Sequence, residues 1–292
     1  MSRGFVTIGI DTEQDQVKYS YALALSVKQS DPNSEVCLIV DKDKSDTVPG
    51  KYYDAFDYIV ELPFGNSGHK DGFHGSNLWQ LIHCSPFEET IYLDNDTIVK
   101  NTNIELLWDT YSNCDFAVSD TAKSYRNVSC DKRKRFEIEK QYNLPQLYFN
   151  FIYFKRDSQT DIEWFKMADP VFQNWREVYN VFFKEKKPPT FDKNIVCNLI
   201  THLLDLEDEI KQPTNMLYDF NAVAQGLWHE DIPSEWTEIL NYWYTDKHKV
   251  MVENNVINSG IIHYQDKGFL TDDIIGFLRT AVENSNRRKA TA

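Results

Sequence analysis

The 292-residue sequence has few cysteines, no long apolar run and fewer basic than acidic side chains. Its five cysteines, Cys37, Cys84, Cys114, Cys130 and Cys197, are odd in number and dispersed, which argues against a disulfide-stapled scaffold or a thiolate-rich zinc knot. A reducing compartment is the simpler setting. No uninterrupted apolar stretch reaches the roughly 18 residues of a membrane span. Asp11 cuts off the apolar opening before it is long enough for a secretory core, so a cytoplasmic protein without a transmembrane segment is expected. In that setting Asn127-Val128-Ser129, which has the form of a glycosylation acceptor, is incidental. The 45 acidic residues outnumber the 31 basic ones and give a formal charge of -14, so no nucleic-acid partner is expected.

What is present is a globular balance, 41% hydrophobic and 26% charged, with enough length for a substantial core. No internal repeat is apparent. Phe5 to Ile10 reads as a buried strand, Lys18 to Lys28 as a helix and Val36 to Val40 as a second strand, and this order suggests a parallel α/β unit. Tyr58 to Leu62 adds a candidate strand. The glycine-bearing stretches Gly65-Asn66-Ser67-Gly68-His69 and Gly72-Phe73-His74-Gly75 follow, and they suit either a site loop or a plain surface loop. Leu78 to His83 reads as helical, and Thr90 to Leu93, Phe116 to Ser119 and Leu147 to Phe154 as strands. Lys132 to Lys140 reads as a solvated helix. The aromatic middle, with Trp164, Phe165, Phe172, Trp175, Tyr179, Phe182 and Phe183, fits amphipathic helices that pack a core or, alternatively, present an acceptor-binding surface. Lys184 to Pro189 should form an exposed turn, and residues 284–292 a polar, flexible tail. A single domain over residues 1–283 is expected, with a nucleotide-binding half to about residue 120 and an acceptor-side half beyond it.

The chemistry concentrates in Ile91-Tyr92-Leu93-Asp94-Asn95-Asp96-Thr97. Alternate residues of an extended segment share a face, so Asp94 and Asp96 can present two carboxylates together. At the end of a core strand such a pair suits a hard divalent cation, Mg²⁺ or Mn²⁺; the alternative is an Asx-rich surface turn. Asp120 repeats the pattern of a strand followed by an acid. His263, in Ile261-Ile262-His263-Tyr264-Gln265-Asp266-Lys267, is a candidate third ligand that would favour Mn²⁺, and Lys267 can meet a phosphate as a mobile point charge.

Together these residues resemble the retaining, family 8 nucleotide-sugar glycosyltransferases of the GT-A fold, the family of glycogenin, galactinol synthase and bacterial lipopolysaccharide glycosyltransferases. The family's Tyr-Leu-Asp-x-Asp-x-x-Val segment is matched by Tyr92 to Val99, and its late His-Tyr by His263-Tyr264. The resemblance implies a mixed, mostly parallel α/β sheet flanked by helices, with a Rossmann-like nucleotide-binding half. It implies Asp94, Asp96 and His263 as ligands of Mn²⁺ or Mg²⁺, and Lys267 at the donor diphosphate. Ile10, Asp11, Tyr19 and Asn95 become donor-contacting positions, with Tyr19 at the base. Asp120, Asn150 and Asp192 become sugar-recognition candidates, Asn150 from Phe149-Asn150-Phe151 and Asp192 from Asp192-Lys193-Asn194, where the family has Asp-Gln-Asp. The implied activity is transfer of a sugar from a nucleoside diphosphate sugar, the family's usual donor being a UDP-sugar, to a hydroxyl acceptor with retention.

Two departures stand out. Ser76, Asn77, Trp79 and Gln80 occupy the stretch where the family carries a lysine or arginine, and the His-x-x-Gly-x-x-Lys-Pro-Trp ending is shortened to His263 through Phe269. A sugar nucleotidyltransferase and a non-catalytic carbohydrate-binding or scaffolding protein of the same fold are the competing readings. The first lacks its usual glycine- and arginine-rich N-terminal signature. The sequence leaves a homo-oligomer open and identifies no interface.

Overall fold

A computed structural model describes residues 2–10, 15–67, 74–130, 132, 136–214, 216–220, 235–245 and 249–290. Its main sheet has seven strands in the order β3-β2-β1-β4-β7-β6-β8. They are β1 (Arg3–Ile8), β2 (Glu35–Val40), β3 (Tyr58–Glu61), β4 (Glu89–Leu93), β6 (Phe116–Ser119), β7 (Tyr148–Lys155) and β8 (Lys211–Gln212). The pairs β1/β2, β2/β3, β1/β4 and β6/β8 are parallel, and β7 runs antiparallel to both β4 and β6. The expected mixed, mostly parallel sheet is thus present.

Helices cover both faces of this sheet, so its inner strands are buried along nearly their whole length rather than alternating with exposed polar residues, while the edge strands β3 and β8 are only partly covered. In β2, Val36, Leu38 and Val40 join the core on one side, while Cys37 and Ile39 join the core on the other. The first core is roofed by the helix Gln16–Ser30, longer than the Lys18 to Lys28 segment expected because Asp15 caps it by accepting from the Lys18 N–H at 2.9 Å. The second core takes the aromatic helices Gln159–Gln173 and Trp175–Phe182 together with Lys193–Leu203. Trp164, Phe165, Phe172, Trp175, Tyr179 and Phe183 are all buried, so these aromatics pack a core; Phe182 alone of the set is exposed.

Local geometry differs from expectation before β4. Leu78 to His83 is a 3-10 stretch, His74–Gln80, followed by one α-turn, Leu81–Cys84. Asn77 and Gln80 are buried there, and their side chains hold the preceding loop: Asn77 Oδ1 accepts from the Ser67 N–H at 2.8 Å, and Gln80 Nε2 donates to the Gly65 carbonyl at 2.8 Å. Of the Lys132 to Lys140 stretch, residues 133–135 lie outside the described residues, and Glu137–Gln141 is helical. The last helix runs Asp272–Ala290.

A second, smaller sheet has three strands. It orders β5 (Thr97–Lys100), β13 (Gly260–His263) and β9 (Leu217–Asp219), with β13 antiparallel to β5 and parallel to β9. A third sheet holds β10 (Tyr242–Tyr244), β11 (Val250–Val252) and β12 (Asn255–Ile257). Among the described residues, no helix is long and apolar enough to cross a membrane.

Candidate metal and donor site

β4 ends at Leu93 and β5 begins at Thr97, so Asp94, Asn95 and Asp96 form the link between the two sheets. The C-terminal end of a parallel strand is where open α/β sheets place their ligands. Asn95 braces the link, because its side-chain amide donates to the Ile8 carbonyl at 3.2 Å and to Gln16 Oε1 at 2.8 Å. The two aspartates are thereby left on either side of a fixed point.

Pairing in the second sheet delivers the third group. His263 sits opposite Thr97 on β5 and beside Asp219 on β9, and the Tyr264 N–H donates to the Asp96 carbonyl at 3.0 Å. The His263 Nε2 then lies 3.1 Å from Asp96 Oδ1 and 3.7 Å from Asp94 Oδ2, while its Nδ1 faces Asp219 Oδ1 at 4.0 Å. Ligand atoms of Asp94, Asp96 and His263 all fall within 4.8 Å of one another. Two carboxylates and an imidazole at that spacing fit a hard or borderline divalent cation. The Asp219 carboxylate stands behind the histidine at 4.0 Å, a charge beside the imidazole rather than a hydrogen-bond partner of it.

The site carries two lysines. Lys267 Nζ is 2.9 Å from Asp96 Oδ2 and lies 4.7 Å from the centre of the Tyr19 ring. Lys193 forms an ion pair with both carboxylate oxygens of Asp94, and the Tyr92 hydroxyl donates to Asp94 Oδ1 at 2.7 Å. Burial works to raise the Asp96 carboxyl, but the charges of Lys267 and His263 overcome it and hold the group well below the usual carboxylate range. Burial likewise works to lower His263, and the carboxylates of Asp96, Asp219 and Asp94 reverse it, so the imidazole is raised above its ordinary value.

Asn150 lies in a backbone irregularity of β7. One step along β6, from Val118 to Ser119, corresponds to a jump from Ile152 to Tyr148 on β7, so residues 149 to 151 bulge. Two side chains one turn apart on the helix Lys193–Leu203 support the bulged strand: Asn194 Oδ1 accepts from the Phe149 N–H and Asn198 Oδ1 from the Leu147 N–H, each at 3.1 Å. The Asn150 carbonyl accepts from the Asp94 N–H at 3.2 Å, and the Asn150 side chain, only 4% exposed, has neither its Oδ1 nor its Nδ2 in a hydrogen bond among the described residues. Buried amides are rarely left so, and a ligand hydroxyl is one group that would satisfy it.

The other sequence-derived positions fare differently. Asp192 is occupied as the N-cap of the helix Lys193–Leu203, where it accepts from the Ile195 N–H at 3.1 Å. Its neighbour Lys193, to which the sequence reading gave no role, is the residue that reaches Asp94. Asp120 follows β6, and its N–H donates to the Gln212 carbonyl at 3.2 Å; no hydrogen bond or ion pair joins its carboxylate to Asp94, Asp96 or His263. Ile10 is fully buried, so its apolar side chain leaves the backbone as its means of contacting a ligand. Asp11 and the Gly68 to Phe73 part of the glycine-bearing loops lie outside the described residues. Asp219 went unread as well, because its approach to His263 depends on β9 pairing with β13 and leaves no mark in local sequence. Lys193 had one available signal, a cation standing where the resembled family has a neutral glutamine.

No protein-family model matches the sequence, and no curated protein matches it. Solved structures do. The glycosyltransferase GlyE of Streptococcus pneumoniae matches 99% of this chain over 64% of its own, at 11% identity and a TM-score of 0.53. The galactosyltransferase LgtC, solved with donor and acceptor sugar analogues, matches 95% of each chain at 12% identity and a TM-score of 0.48. Mouse xyloside xylosyltransferase 1 matches 73% of this chain and 85% of its own at 9% identity and a TM-score of 0.46. The likeness to GlyE, with the sheet order and strand ends described above, shows that the chain has the GT-A glycosyltransferase fold.

Proposed function

We propose that this protein is a metal-dependent glycosyltransferase that moves a sugar from a nucleoside diphosphate sugar, a UDP-sugar, to a hydroxyl acceptor with retention at the anomeric carbon. The observation that carries the reading is the convergence of Asp94, Asp96 and His263 at the C-terminal end of β4, on a glycosyltransferase fold. Mn²⁺ or Mg²⁺ held by these three residues would neutralise the donor diphosphate as its bond to the sugar breaks. Lys267 supplies a mobile positive charge for the leaving phosphates. Tyr19, beneath Lys267, offers a ring face for the base. The unsatisfied side-chain amide of Asn150, whose backbone carbonyl accepts from the Asp94 N–H, is the group this reading assigns to a sugar hydroxyl.

The test is a donor-hydrolysis screen of the purified protein against a panel of nucleoside diphosphate sugars with Mn²⁺, Mg²⁺ or EDTA, reading released nucleoside diphosphate. Slow release from a UDP-sugar that stops in EDTA is expected. Silence across the panel together with no metal-dependent donor binding would overturn the proposal in favour of a binding protein.

A further inference from the structure

The two carboxylates that would hold the metal are already paired with ammonium groups, one each. Lys267 holds Asp96 and Lys193 holds Asp94, where the Tyr92 hydroxyl adds a further hydrogen bond. All four charged side chains are at least largely buried, with 14% of Lys193, 17% of Asp94, 26% of Lys267 and 13% of Asp96 exposed, so bulk water screens the pairs poorly. A divalent cation needs the same carboxylate oxygens, and an ammonium group beside it on Asp94 is strongly repelled.

Resting on the donor-site reading above, we propose that Lys193 is a counterion that competes with the metal for Asp94, so that a nucleoside diphosphate and a divalent cation bind together far better than either binds alone. The cation takes the carboxylates while the diphosphate takes the lysines. The two ligands carry opposite charges of similar size, so joint arrival leaves the charge balance of the site nearly unchanged, whereas either alone upsets it in a buried setting. Lys193 is built for the exchange. It is the first residue of its helix, and its stem runs over Gly75, where an added Cβ would come within 3.2 Å of its own Cβ and Cδ. The stem is thus held close to the 3-10 stretch while the four-carbon chain leaves the ammonium free to turn from a carboxylate to a phosphate.

The experiment is calorimetric titration of the full-length protein with Mn²⁺ alone, with Mn²⁺ in saturating UDP, and with UDP in EDTA, for the natural sequence and for Lys193→Met and Lys193→Arg. UDP should tighten Mn²⁺ binding of the natural protein by about tenfold or more, within the usual range of coupling between sites. Lys193→Met should bind Mn²⁺ alone about tenfold more tightly, lose that same factor from the coupling and bind UDP in EDTA more weakly, while Lys193→Arg keeps the natural behaviour. Equal Mn²⁺ affinity of the natural protein with and without UDP overturns the proposal without any variant. So does a folded Lys193→Met whose Mn²⁺ affinity is unchanged. Mn²⁺ binding to none of the proteins, with or without UDP, overturns the metal reading of the site itself, and the competition with it.

Discussion

His263 and Asp96 are joined twice: the imidazole Nε2 lies 3.1 Å from Asp96 Oδ1, and the N–H of the residue after His263 donates to the Asp96 carbonyl at 3.0 Å. The backbone bond and the antiparallel register of β5 with β13 set the distance between the side chains before any ligand arrives. A candidate ligand set held this way is preorganised by the sheet rather than by flexible loops.

Replacing Asp96 by alanine is expected to lower metal-dependent donor hydrolysis by about a hundredfold or more, the usual scale for removing one group that stabilises developing charge. Circular dichroism should show the fold retained, since the backbone bonds at this position remain. Full activity in the variant would remove Asp96 from the ligand set.

Asp219 is fully buried and faces the imidazole nitrogen that points away from the two aspartates. Asp219→Asn should weaken Mn²⁺ binding by about ten- to a hundredfold, as loss of a carboxylate behind a histidine ligand does. Calorimetry in the presence of UDP measures this directly, and an unaltered dissociation constant would show that Asp219 does not orient His263.

Lys100 is fully buried at the end of β5, with its ammonium 3.2 Å from the Tyr244 hydroxyl, and burial lowers its pKa from 10.5 to about 8. Between those two values the unfolded chain holds a proton that the folded chain has released, so stability rises with pH across that window and is lower below it. The full difference is about 3 kcal/mol at 1.36 kcal/mol per unit. Urea unfolding at pH 7.5 and pH 10 should show this gain in the natural protein and not in Lys100→Met, once both are compared pairwise. A parallel response of the two would mean that Lys100 keeps its charge in the fold.

Gly260 opens β13 at φ 146°, where an added Cβ would meet the Tyr218 ring at 2.5 Å and the Met216 carbonyl oxygen at 2.8 Å. Gly260→Ala should therefore cost at least about 1–3 kcal/mol in chemical denaturation. It should also weaken Mn²⁺ binding, because His263 ends the same strand. Stability equal to the natural protein would place the strain elsewhere.

Elements that depend on local pattern are legible from the residues: the apolar inner strands of the main sheet, the acidic link Asp94 to Asp96 at the end of one of them, and a late His-Tyr pair with Lys267 four residues after the histidine. Buried parallel strands must be apolar along their length, and a polar cluster that interrupts such a run is visible without any coordinates. Tertiary structure alone decided which distant side chains meet that cluster. Asp219 faces His263 because β9 pairs with β13, Lys193 reaches Asp94 because the helix Lys193–Leu203 packs against bulged β7, and Asp192 is taken up in capping that helix. Lys100 is buried by the side chain of Tyr244, and nothing near it in sequence marks it as a core residue. These relations arise from strand register and helix docking across long chain separations, and such contacts carry no periodicity from which to read them.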